Sequence, residues 1–481
     1  MGRSRMWIVG AIGLLLGAQG ARAGTLCDVL EARGVLNPEE AAKCREELSS
    51  RPGAEATTTA ASVKTAPPSG VAYKVGSGFV WNSAEKGPAG FGDATEKPRF
   101  SVTLGNRLQV RYTYLDQDVA GSSASSLFRI RRFKFFLNGN AFYPWLKYKL
   151  QADWVGGHDS AANTQRPELD DAYVDVAYFP FAALQVGQFK VPFNRSELTS
   201  SGSLQFVDRA ITNTRFSLVR DQGVSLHGVL GEVEKPWLEY AAGVFNGNGR
   251  NRADKDNSDH MGAARIYWTP LGTLKYSESD LDNSPRPLLG IGAAYVFNVV
   301  QSRNTSTTAL TRTFPDPTNP EQLLTTQIGQ RTTVVNSSAD YHRATADIHA
   351  KWRGASLLAD YFFETRDDKT PRVTTTDTLF GQPPTIMSSL GVPKGTTHTH
   401  GLNVQAGYFV IPSTLELAIR YAQVNPDGPA NRQEEYRVGV GWFIWQHALK
   451  LQADVGSLVY EQAKGPKRED LELRTQLQVI F

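Results

Sequence analysis

Beyond its first 23 residues the chain has no run of about 20 apolar residues, the length a membrane helix requires, so a helical membrane protein is excluded. It has two cysteines in 481 residues, Cys27 and Cys44. Net charge is almost absent: 51 Lys+Arg stand against 48 Asp+Glu, and three of the basic residues, Arg3, Arg5 and Arg22, fall in the leading segment. A neutral chain argues against nucleic-acid binding. No Gly-x-Ser-x-Gly elbow and no His-Glu-x-x-His helix occurs, so the nucleophile and positioned base that a hydrolase needs have no sequence signature. His398 and His400 lie two apart at a loop–strand junction without an obvious third ligand, and neither a metal nor a cofactor is expected. The averages, 41% hydrophobic with a mean hydropathy of -0.34, do not separate a large soluble protein from a barrel whose strands hide their lipid face by alternation.

The front of the chain sets a compartment. Arg3 and Arg5 precede an apolar stretch, Met6 to Ala18, and Ala21-Arg22-Ala23 supplies small residues for cleavage, so residues 1–23 read as a secretory signal peptide. In the oxidising space beyond, Cys27 and Cys44 read as a disulfide. Between them Asn37-Pro38-Glu39-Glu40 carries a helix start: a capping Asn, Pro at the first helical position and Glu at the third. Residues 24–50 are thus expected to form a small periplasmic helical hairpin, and 51–97, rich at first in Ala, Thr, Ser and Pro, a linker and the entry to the main domain.

From Phe100 onward one theme repeats. Phe100, Val102, Leu104, Leu108, Val110, Tyr112 and Tyr114 alternate with Ser101, Thr103, Arg107, Gln109, Arg111 and Thr113. The last residues do the same: Leu471, Leu473, Leu477, Val479 and Phe481 against Glu472, Arg474, Gln476 and Gln478. Period-two alternation puts one face in oil and the other in water, and about 9 to 11 tilted residues span a bilayer. About sixteen such strands can be placed, which predicts an all-β fold: a transmembrane antiparallel β-barrel over 98–481, in the outer membrane, its last strand closing on the first. Short turns with aromatics, Tyr143-Pro144-Trp145, Phe179-Pro180-Phe181 and Ile411-Pro412-Ser413, suit the periplasmic rim; the long polar stretches Gln301 to Ala339 and Arg366 to Thr397 suit the outer surface.

A barrel of this size leaves an aqueous lumen, so the expected function is a porin for passive diffusion of small hydrophilic solutes. Inward candidates in the first strands are Arg107, Arg111, Arg132, Lys134, Lys147 and Lys149 with Asp153 opposing, a basic set that favours anions such as phosphate. Glu416, Asp454 and Glu472 point to a mixed wall elsewhere. Arg131 and Arg132 are adjacent, and a regular strand turns only one of them inward. A barrel-embedded hydrolase and a structural envelope protein acting through its N-terminal hairpin are the competing readings.

Several segments resemble the phosphate-selective porin O/P family: Phe100-Ser-Val-Thr-Leu-Gly-Asn-Arg-Leu-Gln, Phe128-Arg-Ile-Arg-Arg, Trp145-Leu-Lys-Tyr-Lys-Leu-Gln-Ala-Asp, Val186-Gly-Gln-Phe-Lys-Val-Pro-Phe193 with Glu197-Leu-Thr-Ser200, and Phe245-Asn-Gly-Asn-Gly249. The resemblance implies a sixteen-stranded channel, usually a homotrimer, with a loop folded inward to narrow the pore and basic residues along an anion path. It places Arg131 and Arg132 at the family's paired arginines and Lys190 before the constriction loop, which would run from Asn194 to about Arg220. Arg195, Arg209, Arg215 and Arg220 are its candidate anion contacts, with Glu197, Asp208 and Asp221 as candidate neutralisers. Outer-membrane lipid and small anionic or hydrophilic solutes are the partners implied.

Overall fold

The chain divides into Met1–Ala66 and Pro67–Phe481. The computed structural model describes residues 70–481 apart from 120, 160–163, 254–256, 316–322, 380–383, 391–394, 428–431 and 462–465. The signal peptide, the helical hairpin and the Cys27–Cys44 pair lie outside the described residues.

Two small hairpins come first, β1 (Val71–Lys74) with β2 (Gly78–Asn82) and β3 (Lys86–Gly90) with β4 (Asp93–Pro98). The wall begins with β5 (Ser101–Asp116), β6 (Ser125–Asn140), β7 (Leu146–Asp159), β8 (Thr164–Val176), β9 (Ala183–Lys190) and β10 (Arg220–Glu232). It continues through β11 (Lys235–Phe245), β12 (Met261–Trp268), β13 (Leu288–Pro315), β14 (Leu323–Trp352) and β15 (Ala355–Asp368). A side hairpin, β16 (Arg372–Leu379) and β17 (Thr385–Leu390), precedes β18 (Gly395–Ile411), β19 (Leu415–Pro426), β20 (Gln433–His447), β21 (Leu449–Tyr460) and β22 (Arg468–Ile480). Each wall strand pairs antiparallel with the next, and β22 returns to β5 from Leu471↔Asp116 to Ile480↔Arg107. Phe481 N–H donates to Asn106 O at 3.0 Å and Asn106 N–H to Phe481 O at 2.6 Å, so the ring of sixteen strands is closed and its last strand has no free edge toward β5.

The alternation behaves as expected, with polarity inverted relative to a soluble protein. On β21 Lys450, Gln452 and Asp454 point inward and are buried, while Leu451 and Val455 face out. On β22 Arg474, Gln476 and Gln478 are buried and Leu471, Leu477 and Phe481 are exposed. The exposed apolar side chains are the lipid face; the buried polar ones line or support the lumen.

Three features were not foreseen. Residues 71–98 fold into two hairpins, and β2 extends the sheet by pairing with Ser101–Leu104 of β5, below the point where β22 ends. The long polar stretches are mostly strand: β13 and β14 run 28 and 30 residues, far beyond a bilayer's need, and with β16 and β17 make a Thr-rich sheet beyond the barrel rim. Strands β9, β11, β12, β13, β15 and β19 also carry apolar residues inward: Phe189, Phe245, Met261, Ala263, Val296, Phe362 and Val424 form a packed cluster inside the barrel. An apolar lumen wall calls for a covering segment, and the connection from β9 to β10 supplies it.

Candidate functional site: the lumenal constriction

Residues 191–219 leave β9 at one end of the wall, fold into the lumen and return to β10. Two short helices, α1 (Arg195–Leu198) and α2 (Ile211–Phe216), are joined by an extended segment whose Leu204, Phe206 and Val207 are each 1% exposed. Such a segment must satisfy its backbone groups without a sheet, and inward side chains of the wall do so. Lys450 Nζ donates to Leu204 O at 2.8 Å, Gln452 Nε2 to Gln205 O at 2.8 Å, Gln478 Nε2 to Gly202 O at 2.9 Å and Gln109 Nε2 to Ser201 O at 3.1 Å. Carboxylates accept from the other sign of partner: Gln205 N–H reaches Glu278 at 2.9 Å, Val207 N–H Asp454 at 3.0 Å and Ile211 N–H Glu435 at 2.9 Å. The apolar side of the loop, Phe193 and Phe216, packs on Phe362, with Phe216 stacked at 5.0 Å and 4°. Glycine makes the seat possible: a Cβ on Gly401 would overlap the Phe216 ring, and one on Gly407 the Gln205 amide.

The loop leaves one side of the lumen open against β5–β10. The cavity there is about 660 Å³ and is lined by eleven cationic side chains and seven carboxylates. Of the twelve basic residues singled out in the sequence, Arg107, Arg131, Arg132, Lys134, Lys149, Lys190, Arg209 and Arg220 meet around it. Most are already paired. Lys149 bonds Asp171 at 2.7 Å, Arg220 lies 2.5 Å from Asp171 and 3.6 Å from Asp170, and Lys134 bonds Asp170 and sits 3.6 Å from Asp153. Arg209 is 3.5 Å from Glu197. Lys190 Nζ donates to the carbonyls of Glu197, Leu198 (3.2 Å) and Thr199 (3.3 Å), so its charge caps the C-terminal end of α1. Arg107 is the exception: it donates to Ser201 Oγ at 3.0 Å, its Nε has no partner, and among the described residues no carboxylate pairs with it.

The expectation that only one of Arg131 and Arg132 turns inward is corrected. Gln109 pairs with Arg132 and Val110 with Ile130, so Arg131 is the extra residue of a β-bulge. A bulge breaks the two-residue period, and both guanidiniums reach Asp208, at 3.3 Å each, with Arg111 joining them at 2.9 Å. Burial pushes the Asp208 carboxyl up, but Arg132, Arg131 and Arg111 together outweigh it and hold it well below the usual carboxylate range.

Four of the basic residues lie elsewhere. Arg111 is 2% exposed behind the cavity wall and also bonds Gln476 and Val207 O. Lys147 shares the inward face of Lys149 but is exposed near the 141–145 turn. Arg195 is buried on the far side, between the rings of Tyr267 (4.4 Å) and Tyr276 (3.7 Å), and donates to Lys275 O at 2.9 Å; it anchors α1. Arg215 pairs with Glu364 of β15, the strand on which α2 packs. Of the three candidate neutralisers, Glu197 and Asp208 pair with cations, and Asp221 accepts from Gly247 N–H at 2.7 Å. Arg250, Arg437 and Arg474 complete the cavity and had no recognisable sequence signal beyond their charge.

A second cavity, about 220 Å³, shares Gln185, Phe189, Lys190 and Leu198 with the first and is lined beyond them by His227, Glu239, Tyr267 and Tyr276. Those four shared residues stand between the two cavities. His398 and His400 lie on the outer face, hydrogen-bonded to Thr365 and Tyr361, and no cluster able to hold a metal ion occurs among the described residues.

We find no match among curated protein sequences. Solved structures similar to this chain include the outer membrane channel DcaP of Acinetobacter baumannii (12% identity, 79% of this chain and 97% of that one, TM-score 0.47). The outer membrane protein OmpT of Vibrio cholerae (10%, 78% and 98%, 0.41) and opdK of Pseudomonas aeruginosa (11%, 79% and 99%, 0.38) are also similar. Residues 102–287, which supply β5 to β12 and the inward loop, match the family model described as phosphate-selective porin O and P, and the chain, with its closed sixteen-stranded barrel, is an outer-membrane porin similar to that family over this part of its length.

Proposed function

We propose that the lumen conducts small hydrophilic anions, phosphate among them, from the larger chamber past the neck at Lys190 and Leu198 into the smaller one. The observation that carries this reading is the excess of eleven cations over seven carboxylates around the larger chamber. Paired side chains contribute little net field to a passing ion; the surplus does the selecting, and Arg107, with no carboxylate of its own, is its centre. A unit charge at about 4 Å contributes roughly 1 kcal/mol in bulk water and about 4 kcal/mol at an effective dielectric of 20, and a wet, narrow lumen lies between the two. Replacing Arg107 by Gln is therefore expected to lower anion-over-cation permeability about tenfold, read as a reversal potential in a KCl gradient across a planar bilayer. A wild-type channel that prefers potassium would end the proposal. The family resemblance also supports a homotrimer as the working assembly, which cross-linking in native membranes tests.

A further inference from the structure

Residues 71–100 precede the ring of sixteen strands, yet they lie along its rim. Strand β22 leaves the edge of β5 at Arg107 and Asn106, and β2 takes up that edge beyond it, with Phe79↔Leu104, Trp81↔Val102 and Asn82↔Ser101. The closure seam is thus completed by a segment from before the barrel. At this end of β5 Ser101 pairs with Asn140 beside the 141–145 turn, so the segment follows the short-turn, periplasmic rim as a strap. Arg99 lies over the Tyr143 ring at 5.9 Å. Further along, Phe91 N–H donates to Tyr178 O at 2.7 Å and the Phe91 ring packs on Phe179 at 5.1 Å, so the strap reaches the β8–β9 turn.

Side chains directly opposite one another in a sheet share a face. Tyr73 pairs with Phe79 and Phe79 with Leu104; Val71 pairs with Trp81 and Trp81 with Val102. Val102 and Leu104 belong to the lipid-facing set of β5, so the strap continues that face past the end of β22. Its rings are open to the surroundings: Tyr73 and Phe79 are each 52% exposed, and Phe100 stands edge-on to Trp81 at 5.6 Å. The reverse face carries Ala72, Lys74, Val80 and Asn82. Between Tyr114 and Leu104, β5 already has the roughly 10 tilted residues that cross the apolar core of a bilayer. The rows beyond Leu104 therefore fall at the headgroup level.

We propose that the strap is a lipid-binding surface: Tyr73, Phe79, Trp81 and Phe100 sit in the headgroup layer of the periplasmic leaflet and anchor the closure seam to phospholipid. The proposal is independent of which solute the lumen carries. Aromatic side chains concentrate at this level because their rings are apolar and, in Tyr and Trp, carry a polar handle that stays wet. Continuity with a face that already meets lipid favours phospholipid as the occupant. The free edge of β1 argues against a protein strand in its place, since β1 is only 4 residues long and ends in Lys74, and short, charged edges discourage strand addition.

Photo-cross-linking in living cells reads the neighbour directly, with p-benzoylphenylalanine incorporated at Phe79 and, separately, at Tyr73 of the full-length protein. A phospholipid adduct is expected at both positions and at Leu108, the reference on the lipid face of β5, and none at Lys74 on the reverse face. A cross-link to a second copy of the chain or to another protein at Phe79 and Tyr73 would overturn the proposal. So would the absence of any adduct there while Leu108 yields one. Anchoring is tested with Phe79→Ser and Trp81→Ser combined, in nanodiscs of phosphatidylethanolamine and phosphatidylglycerol. Trypsin is expected to nick the variant between Lys74 and Lys97 severalfold faster than the wild type, while heat-resistant migration on gels reports an intact barrel. Nicking at the wild-type rate would mean that the pairing of β2 with β5 holds the strap by itself, and would overturn the anchoring role.

Discussion

Placing a side chain at Gly401 tests whether the inward loop is the constriction. Gly401 sits on the lumen face of β18, and a Cβ there would overlap Phe216, with ring atoms at 3.0 and 3.1 Å beyond the nearest one. The ring cannot simply slide: Phe216 is 0% exposed and stacked on Phe362. Gly401→Val is isolated from the pore chemistry, because neither it nor Phe216 lines the larger chamber. Expelling Phe216 loses up to about 3 kcal/mol of side-chain burial and about 1 kcal/mol for the ring pair. Even about 3 kcal/mol changes the ratio of docked to undocked loop by roughly two orders of magnitude. The α2 end of the loop should therefore lift, giving larger and noisier single-channel conductance, while heat-resistant migration on gels reports an intact barrel. A correctly assembled Val variant with wild-type conductance and noise would refute both the steric argument and the assignment of 191–219 as the narrowing element.

Two further outcomes follow from the way the loop is held. Lys190→Gln removes the ammonium that caps three consecutive carbonyls, Glu197 to Thr199, and should raise open-channel noise and conductance while moving the reversal potential less than Arg107→Gln does; a selectivity change as large as that of Arg107→Gln would mean that Lys190 faces the solute. Acid should leave the loop docked well below pH 4: the Asp208 carboxyl, pushed up by burial but held down more strongly by Arg132, Arg131 and Arg111, contributes stability that is complete above its unfolded value of about 3.9 and is lost only as pH falls through its depressed folded value. The Asp208 contacts should persist from pH 7 to pH 4, so any change in loop-dependent noise over that range should appear equally in Asp208→Asn, and an opening with a midpoint between 4 and 5 that Asp208→Asn abolishes would contradict the three-arginine clamp.

The barrel was legible because its information is local. Most wall strands repeat over a two-residue period, so β22 could be read from eleven residues and its lipid face named side chain by side chain, and counting strands sufficed for a lumen. The basic cluster was half legible: charge and phase put Arg107, Arg132, Lys134 and Lys149 on the inner face, and the motif before the loop located Lys190. What could not be read was the pairing that decides which of those charges a solute meets. Arg111 and Asp208 are 97 positions apart, and Gln205 and Glu416 are 211 apart, so nothing in either neighbourhood announces the contact. The bulge at Arg131 escaped for a different reason. It is a break in the period on which the strand was recognised, and two adjacent arginines on one face are visible only once the cross-strand register is known.

The same register explains why the lumen is open on one side only. Where inward positions are Lys, Arg, Asp and Gln, as on β6 to β8, the wall is stable against water and needs no cover. Where they are Phe245, Met261, Ala263, Ala294 and Val296, on β11 to β13, water would meet apolar surface at about 25 cal/mol per Å². A loop bearing Phe193 and Phe216 relieves that exposure, and its polar stretch from Ser201 to Asp208 then has to be satisfied by inward glutamines and carboxylates of β21, β22 and β5 and by Glu278 of the β12–β13 connection. The distribution of inward apolar and amide side chains around the ring therefore dictates where the loop lies. The channel is the sector left over, and it is basic because that sector is the one whose wall carries charge instead of side chains made to hold the loop.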